Sequence, residues 1–142
     1  MIGIDIVDVP RFRALLARRP RVAERLFTPA ERAYAQSRAD PTERLAARFA
    51  AKEAVMKALG AGFGDVAFRE MEVVRAPGGR PEVVLHGRAA DRARRAGVTG
   101  WHLSLSHTAT SAVAVAVAVG AGGIAPHHES GSGEVACSPS SP

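Results

Sequence analysis

Three short stretches of this 142-residue chain bring together residue types suited to handling a phosphate and a metal ion. The first is Gly3-Ile4-Asp5, a carboxylate near a glycine that leaves room for a ligand. The second is "RFAAKEAVMKALG", Arg48 to Gly60. In a helix, Phe49, Glu53, Met56, Lys57 and Gly60 of this stretch share one face, and Arg48 and Lys52 form a neighbouring basic row. A carboxylate there could hold a divalent cation that bridges phosphate oxygens, with Lys and Arg neutralising the remaining charge and Asp5 supplying a second carboxylate. The same spacing equally describes a surface Glu53–Lys57 ion pair worth a few tenths of a kcal/mol. The third stretch is "LSLSHT", Leu103 to Thr108, whose alternation puts Ser104 and Ser106 on one face and ends at His107 in a turn. Adjacent Ser and His rarely meet in triad geometry and no G-x-S-x-G elbow is present, so His107 reads as a hydrogen-bond donor, for instance to phosphate. His86 reads as an ordinary strand residue, and His127-His128 lie in the tail.

The elements that must position these residues follow from periodicity. Ile2 to Val7 predicts a strand, with Gly3, Asp5 and Val7 on one face and Ile2, Ile4 and Ile6 on the other. If the isoleucines face the core, Asp5 is simply a polar residue on a solvated face. Asp8 and Pro10 mark the start of a helix that continues to Arg19. Pro20 interrupts it before a short helical piece at Val22 to Phe27. Thr28-Pro29-Ala30-Glu31 is a capping box, and Asp40-Pro41 opens a long helix over about 41 to 59 that ends at Gly60. Met71 to Arg75 and Glu82 to His86 predict a hairpin around "APGGRP", and Gly87 to Ala96 a basic helix. Trp101 to Ser106 and Ala112 to Val119 predict paired strands. The second alternates Ala and Val, so both faces are apolar and it belongs in the centre of a sheet, its alanine face letting a helix pack closely. This order predicts one α+β domain over 1–120, an antiparallel sheet packed against a long helix. Residues 121–142, rich in Gly, Ser and Pro, are expected to form a disordered tail.

Composition narrows the partners. Hydrophobic residues at 46% and charged residues at 23% suit a soluble globular protein. Neither a membrane span nor a signal peptide is expected, and a lone cysteine, Cys137, suits a reducing cytoplasm. All 19 Lys and Arg lie before position 96, against 12 acids in residues 1–120, so the body carries +7. Six arginines between Arg11 and Arg25 face one acid, Glu24, which points to an anionic partner. A nucleic acid is disfavoured because 5% aromatic residues leave little for base stacking.

Taken together, "GIDIVDVPRF" (3–12), "RFAAKEAVMKALG" (48–60) and "LSLSHT" (103–108) resemble the holo-[acyl-carrier-protein] synthases, short 4′-phosphopantetheinyl transferases, over about residues 2 to 119. The resemblance implies transfer of phosphopantetheine from coenzyme A to a serine of an acidic apo-acyl carrier protein, with release of adenosine 3′,5′-bisphosphate, in fatty acid biosynthesis. It implies Mg²⁺ held by Asp5 and Glu53, with Glu53 and Lys57 as catalytic residues. Arg48, Lys57, Gly60, Ser106 and His107 are implied at the coenzyme A site. It also implies a homotrimer with active sites between subunits, for which the Ala112–Val119 strand offers an apolar surface. Carrier docking is expected on Arg11, Arg18 and Arg21, with Phe12 or Phe27 as apolar anchors.

The chain departs from the family pattern in places. Position 8 is Asp where Glu is common, and its shorter chain could draw it away from the metal. Thr108 follows the turn histidine where some relatives carry an acid, which leaves a metal-activated water or Glu53 to act on the serine hydroxyl. Only two residues precede Gly3, so the first strand is expected to lack its usual beginning unless the start lies upstream. Two rival readings are a transferase for polyketide or peptide synthase carrier domains, whose representatives are roughly twice as long, and a non-enzymatic phosphate or nucleic-acid binder.

Overall fold

An alternating Ala/Val strand is apolar on both faces. In the computed structural model, which describes residues 1–120, it is central in its sheet, with its alanine face covered and its valine face left beside exposed isoleucines. Strand β1 (Ile2–Asp8) and strand β4 (Val98–His107) flank β5 (Ser111–Gly120) in an antiparallel sheet of order β1-β5-β4. The alanine face of β5, Ala112, Ala114 and Ala116, is fully buried. Across it lies helix α4 (Pro41–Ala58), whose buried side is itself largely alanine. Small residues on both partners draw the helix backbone onto the sheet. A Cβ added at Gly3 would sit 1.9 Å from the Ala54 carbonyl oxygen, so only glycine is tolerated at that crossing.

The register places Asp5. Gly3 pairs with Ala116, Asp5 with Ala114 and Val7 with Ala112, which puts all three β1 residues on the helix-facing side. Ile2, Ile4 and Ile6 lie on the outer face and are 69, 60 and 68% exposed. Asp5 is therefore the polar member of a core-facing row, because only that row is small enough at Gly3 for α4 to settle on it.

The remaining elements surround this layer. Helix α1 (Val9–Arg18) is capped by Asp8, which accepts from the Arg11 N–H at 2.8 Å. After Pro20 comes α2 (Arg21–Leu26), then α3 (Pro29–Gln36) with its Thr28/Glu31 capping box, and α4 opens on Asp40 and Pro41. Strands β2 (Met71–Arg75) and β3 (Pro81–Leu85) form a second sheet, and α5 (Gly87–Arg95) leads into β4. The whole is a single α+β domain. No helix among the described residues is long and apolar enough to cross a membrane, and the expected tail, 121–142, lies outside the described residues.

Lys52 departs from expectation. Instead of joining Arg48 in a phosphate-facing row, it is fully buried, with Nζ donating to Glu31 Oε2 at 2.6 Å, to the Leu26 carbonyl at 2.7 Å and to the Phe68 carbonyl at 3.1 Å. Glu31 in turn accepts from the Thr28 and Val73 N–H groups. A helical position one residue from Glu53 points about 100° away from it, so Lys52 ties α4 to α3 and β2 while Glu53 faces elsewhere.

Candidate active site

Glu53 and Asp5 converge from α4 and β1 on one groove of about 590 Å³. Lys57 reaches across to the strand instead of along its own helix. Its Nζ donates to Asp5 Oδ1 at 2.7 Å and to the Ile4 carbonyl at 3.1 Å, so the expected Glu53–Lys57 surface pair is replaced by a Lys57–Asp5 pair. Glu53 Oε1 is buried with no hydrogen-bond partner. Burial pushes the Glu53 carboxyl above its ordinary range and the nearby Asp5 adds to this, against a smaller opposing pull from Lys57. A buried carboxylate oxygen left unclaimed beside a second carboxylate is costly unless a cation completes it.

That arrangement fits a divalent cation. Among the described residues no group of three or more His, Cys, Asp or Glu is placed to hold a metal. Two carboxylates with room for phosphate oxygens and water suit Mg²⁺, which keeps much of its hydration. Lys57 already stands at Asp5 as a positive charge.

The other wall of the groove is α1. Arg11 and Arg18 line it, as does Asp8, whose carboxylate is engaged in capping the helix. Arg21 is exposed on α2, outside that lining. Arg11, Arg18 and Arg21 form no ion pair among the described residues, whereas Arg13 is held by Asp40 at 2.7 Å. The expected apolar anchors are corrected: Phe12 and Phe27 are 4% and 0% exposed and pack edge-on to each other in the core. Phe49 stacks between Phe12 and Phe68, and the row ends in Phe63, 78% exposed at the lip of the groove. Phe63 was missed because it stands among glycines in a loop, outside any periodic pattern.

Arg48 and His107 meet at a second, smaller cavity of about 170 Å³. Arg48 is buried and lies over the Tyr34 ring, 4.1 Å from its centre. Arg75 donates to the Tyr34 hydroxyl at 2.8 Å. Partial burial raises the phenol, but the bond from Arg75 and the charges of Arg75, Arg38 and Arg48 outweigh it and leave the group below its usual value. Arg48 and Arg75 thus spend their charge on a neutral ring and its hydroxyl, which leaves the cavity cationic. Sequence patterns gave no sign of Tyr34, Arg44 or Arg75 here, since they come from three elements. Ser106 is exposed on β4, on the face opposite His107 and alongside the isoleucines. Gly60 ends α4 with φ +59° and, with Leu59, accepts through its carbonyl from Arg92.

Residues 1–118 match the family model for the 4′-phosphopantetheinyl transferase superfamily. The holo-[acyl-carrier-protein] synthase of Moorella thermoacetica is 52% identical over 105 residues, 74% of this chain and 82% of the relative. That of Frankia alni is 54% identical over 106 residues, 75% and 85% respectively. Among solved structures, the holo-[acyl-carrier-protein] synthase of Neisseria meningitidis superimposes with a TM-score of 0.76 at 33% identity, covering 83% of this chain and 96% of that one. The Helicobacter pylori enzyme in complex with coenzyme A does so with 0.74 at 30% identity, covering 84% and 100%.

Proposed function

The chain belongs to the 4′-phosphopantetheinyl transferase superfamily, among its holo-[acyl-carrier-protein] synthases, and from that premise we propose how its own residues carry the reaction. It transfers the 4′-phosphopantetheine group of coenzyme A to a serine of apo-acyl carrier protein. The serine oxygen forms a new bond to the phosphorus bearing pantetheine, and the pyrophosphate bond breaks to release adenosine 3′,5′-bisphosphate. The observation that carries the assignment of chemistry to this groove is the buried, unclaimed Glu53 oxygen facing Asp5.

In this reading Asp5 and Glu53 would hold Mg²⁺, whose charge would offset that of the pyrophosphate. Glu53 would also be the group that accepts the proton of the serine hydroxyl. Lys57, exposed at the edge of the groove, neutralises charge on the leaving phosphate. Arg11, Arg18 and Arg21 take the acidic carrier protein, with Phe63 as the exposed apolar contact in place of the buried Phe12 and Phe27. Arg48 and His107, with Gly60 and Ser106 nearby in the sequence motifs, serve coenzyme A.

Within one chain, Glu53 and Asp5 line one cavity and Arg48 and His107 another. That separation supports an active site completed between subunits of a homotrimer. The exposed Ile2, Ile4 and Ile6 face is the apolar surface such an assembly would cover. We place the enzyme in the cytoplasm, serving fatty acid biosynthesis. The test is the intact mass of apo-acyl carrier protein after incubation with the enzyme and coenzyme A. A mass gain of one phosphopantetheine that needs Mg²⁺ is expected; an unmodified carrier under all conditions refutes the reading.

A further inference from the structure

His107, assigned above to coenzyme A, touches two side chains that have no role in the transfer reaction as described. Its Nε2 is 2.9 Å from Arg44 Nη1. A guanidinium only donates, so Nε2 must be the acceptor and the proton of the neutral ring is on Nδ1. Nδ1 is buried with no aligned hydrogen-bond partner, and Glu43 Oε2 lies 3.3 Å from it. Glu43 and Arg44 are consecutive residues in the first turn of α4, where the Glu43 N–H is anchored on Asp40 Oδ1. One imidazole is thus bonded at Nε2 by Arg44 and approached at Nδ1 by the Glu43 carboxylate, two adjacent side chains of one helix start.

The charged and titratable groups around this ring are Glu43, Arg44 and Arg48 from α4, Arg75 from β2 and Tyr34 from α3. Glu43 is the carboxylate among them, and it contacts the ring instead of pairing with an arginine. Removing it would free the ring to carry its proton on Nε2, where the proton would oppose the Arg44 donor and turn both groups away.

We infer that Glu43 is a positioning residue for the cationic cavity: it holds the His107 proton on Nδ1, which keeps Nε2 as the acceptor that orients Arg44. The ligand this serves, a phosphate group of coenzyme A, rests on the function proposed above, whereas the geometry does not. Nitrogen-15 spectra of the histidine rings test it directly. In the wild-type enzyme the neutral His107 ring should carry its proton on Nδ1. In Glu43→Ala the proton should move to Nε2, and KM for coenzyme A should rise about tenfold while kcat changes less than about twofold. Glu43→Gln keeps a carbonyl acceptor, so it should restore the Nδ1 proton and bring KM to within about threefold of wild type. A purely structural role would lower stability without moving the proton. An Nδ1 proton that persists in Glu43→Ala overturns the inference, and so does an unchanged KM. Because the ring spectrum needs no turnover, an enzyme inert toward coenzyme A would sink the transferase reading while the spectrum still decides this one.

Discussion

Lys52 and Glu53 are neighbours in the chain and opposite in circumstance. Lys52 is fully buried, yet its ammonium meets a carboxylate and two carbonyls, and its partner Glu31 is satisfied by two backbone N–H groups as well. Glu53 is less buried, yet one of its oxygens has nothing to accept from and a second carboxylate stands nearby. The first region is closed: every polar group has its partner inside the chain, so a ligand has nothing to offer it. The second is left open, and an incomplete polar cluster beside a groove is where a ligand supplies what the fold does not.

The largest effect should come from the open region. Glu53→Gln and Asp5→Asn are expected to lower phosphopantetheine transfer by about 10³-fold or more, since both remove charge from the proposed cation site. The unfolding free energy of Glu53→Gln, read from denaturant melts, should hold or rise slightly, by under about 1 kcal/mol once solvent screening at this half-open site is allowed for. The sign follows from its raised carboxyl: the favourable contribution is present below the unfolded value and is lost as pH rises through the folded one. Wild-type rates in both variants would remove the metal assignment.

The closed region should respond in the opposite way. Lys52→Met leaves Glu31 buried without its cation and should cost about 3–5 kcal/mol in denaturant unfolding, with Glu31→Gln in the same chain recovering much of it. A loss below about 1 kcal/mol would mean that the pair is not the structural tie described here.

Smaller is the expected effect of Arg18→Glu, a charge reversal on the groove wall. It should raise KM for the carrier protein about tenfold and leave that for coenzyme A nearly unchanged. Equal losses for both would place the docking surface elsewhere. Smallest is a pH effect on stability. Burial raises the Glu72 carboxyl, but the bonds from Thr28 and His86 and the charges of His86 and Lys52 outweigh it, so the group lies below its usual value. Its contribution is present above the unfolded value and is lost as pH falls through the folded one. Unfolding curves of Glu72→Gln should therefore show a shallower loss of stability below about pH 4.5 than wild type.

Much of the fold was legible in the residues. The Ala/Val alternation of β5 put it at the centre of its sheet, and the Asp8, Thr28 and Asp40 caps fixed three helix starts because capping is local chemistry. Which face of β1 would be buried was not legible. Periodicity separates Asp5 from the isoleucines but cannot say which set meets the helix; the small residue Gly3 decides it, through contact with Ala54 on a distant element. The same limit hid the fate of Lys52, whose partner lies 21 residues away, and the arginine group around Tyr34. Motif residues could be found by type and spacing, whereas the ring of partners that makes one charge structural and its neighbour available exists only in the folded chain.

The most direct test of that distinction is binding of Mn²⁺, as a paramagnetic stand-in for Mg²⁺, followed by electron paramagnetic resonance with coenzyme A present. Wild type and Glu72→Gln should bind one ion per site with similar affinity, while Glu53→Gln and Asp5→Asn should lose it. Undiminished binding in Glu53→Gln and Asp5→Asn would contradict the account.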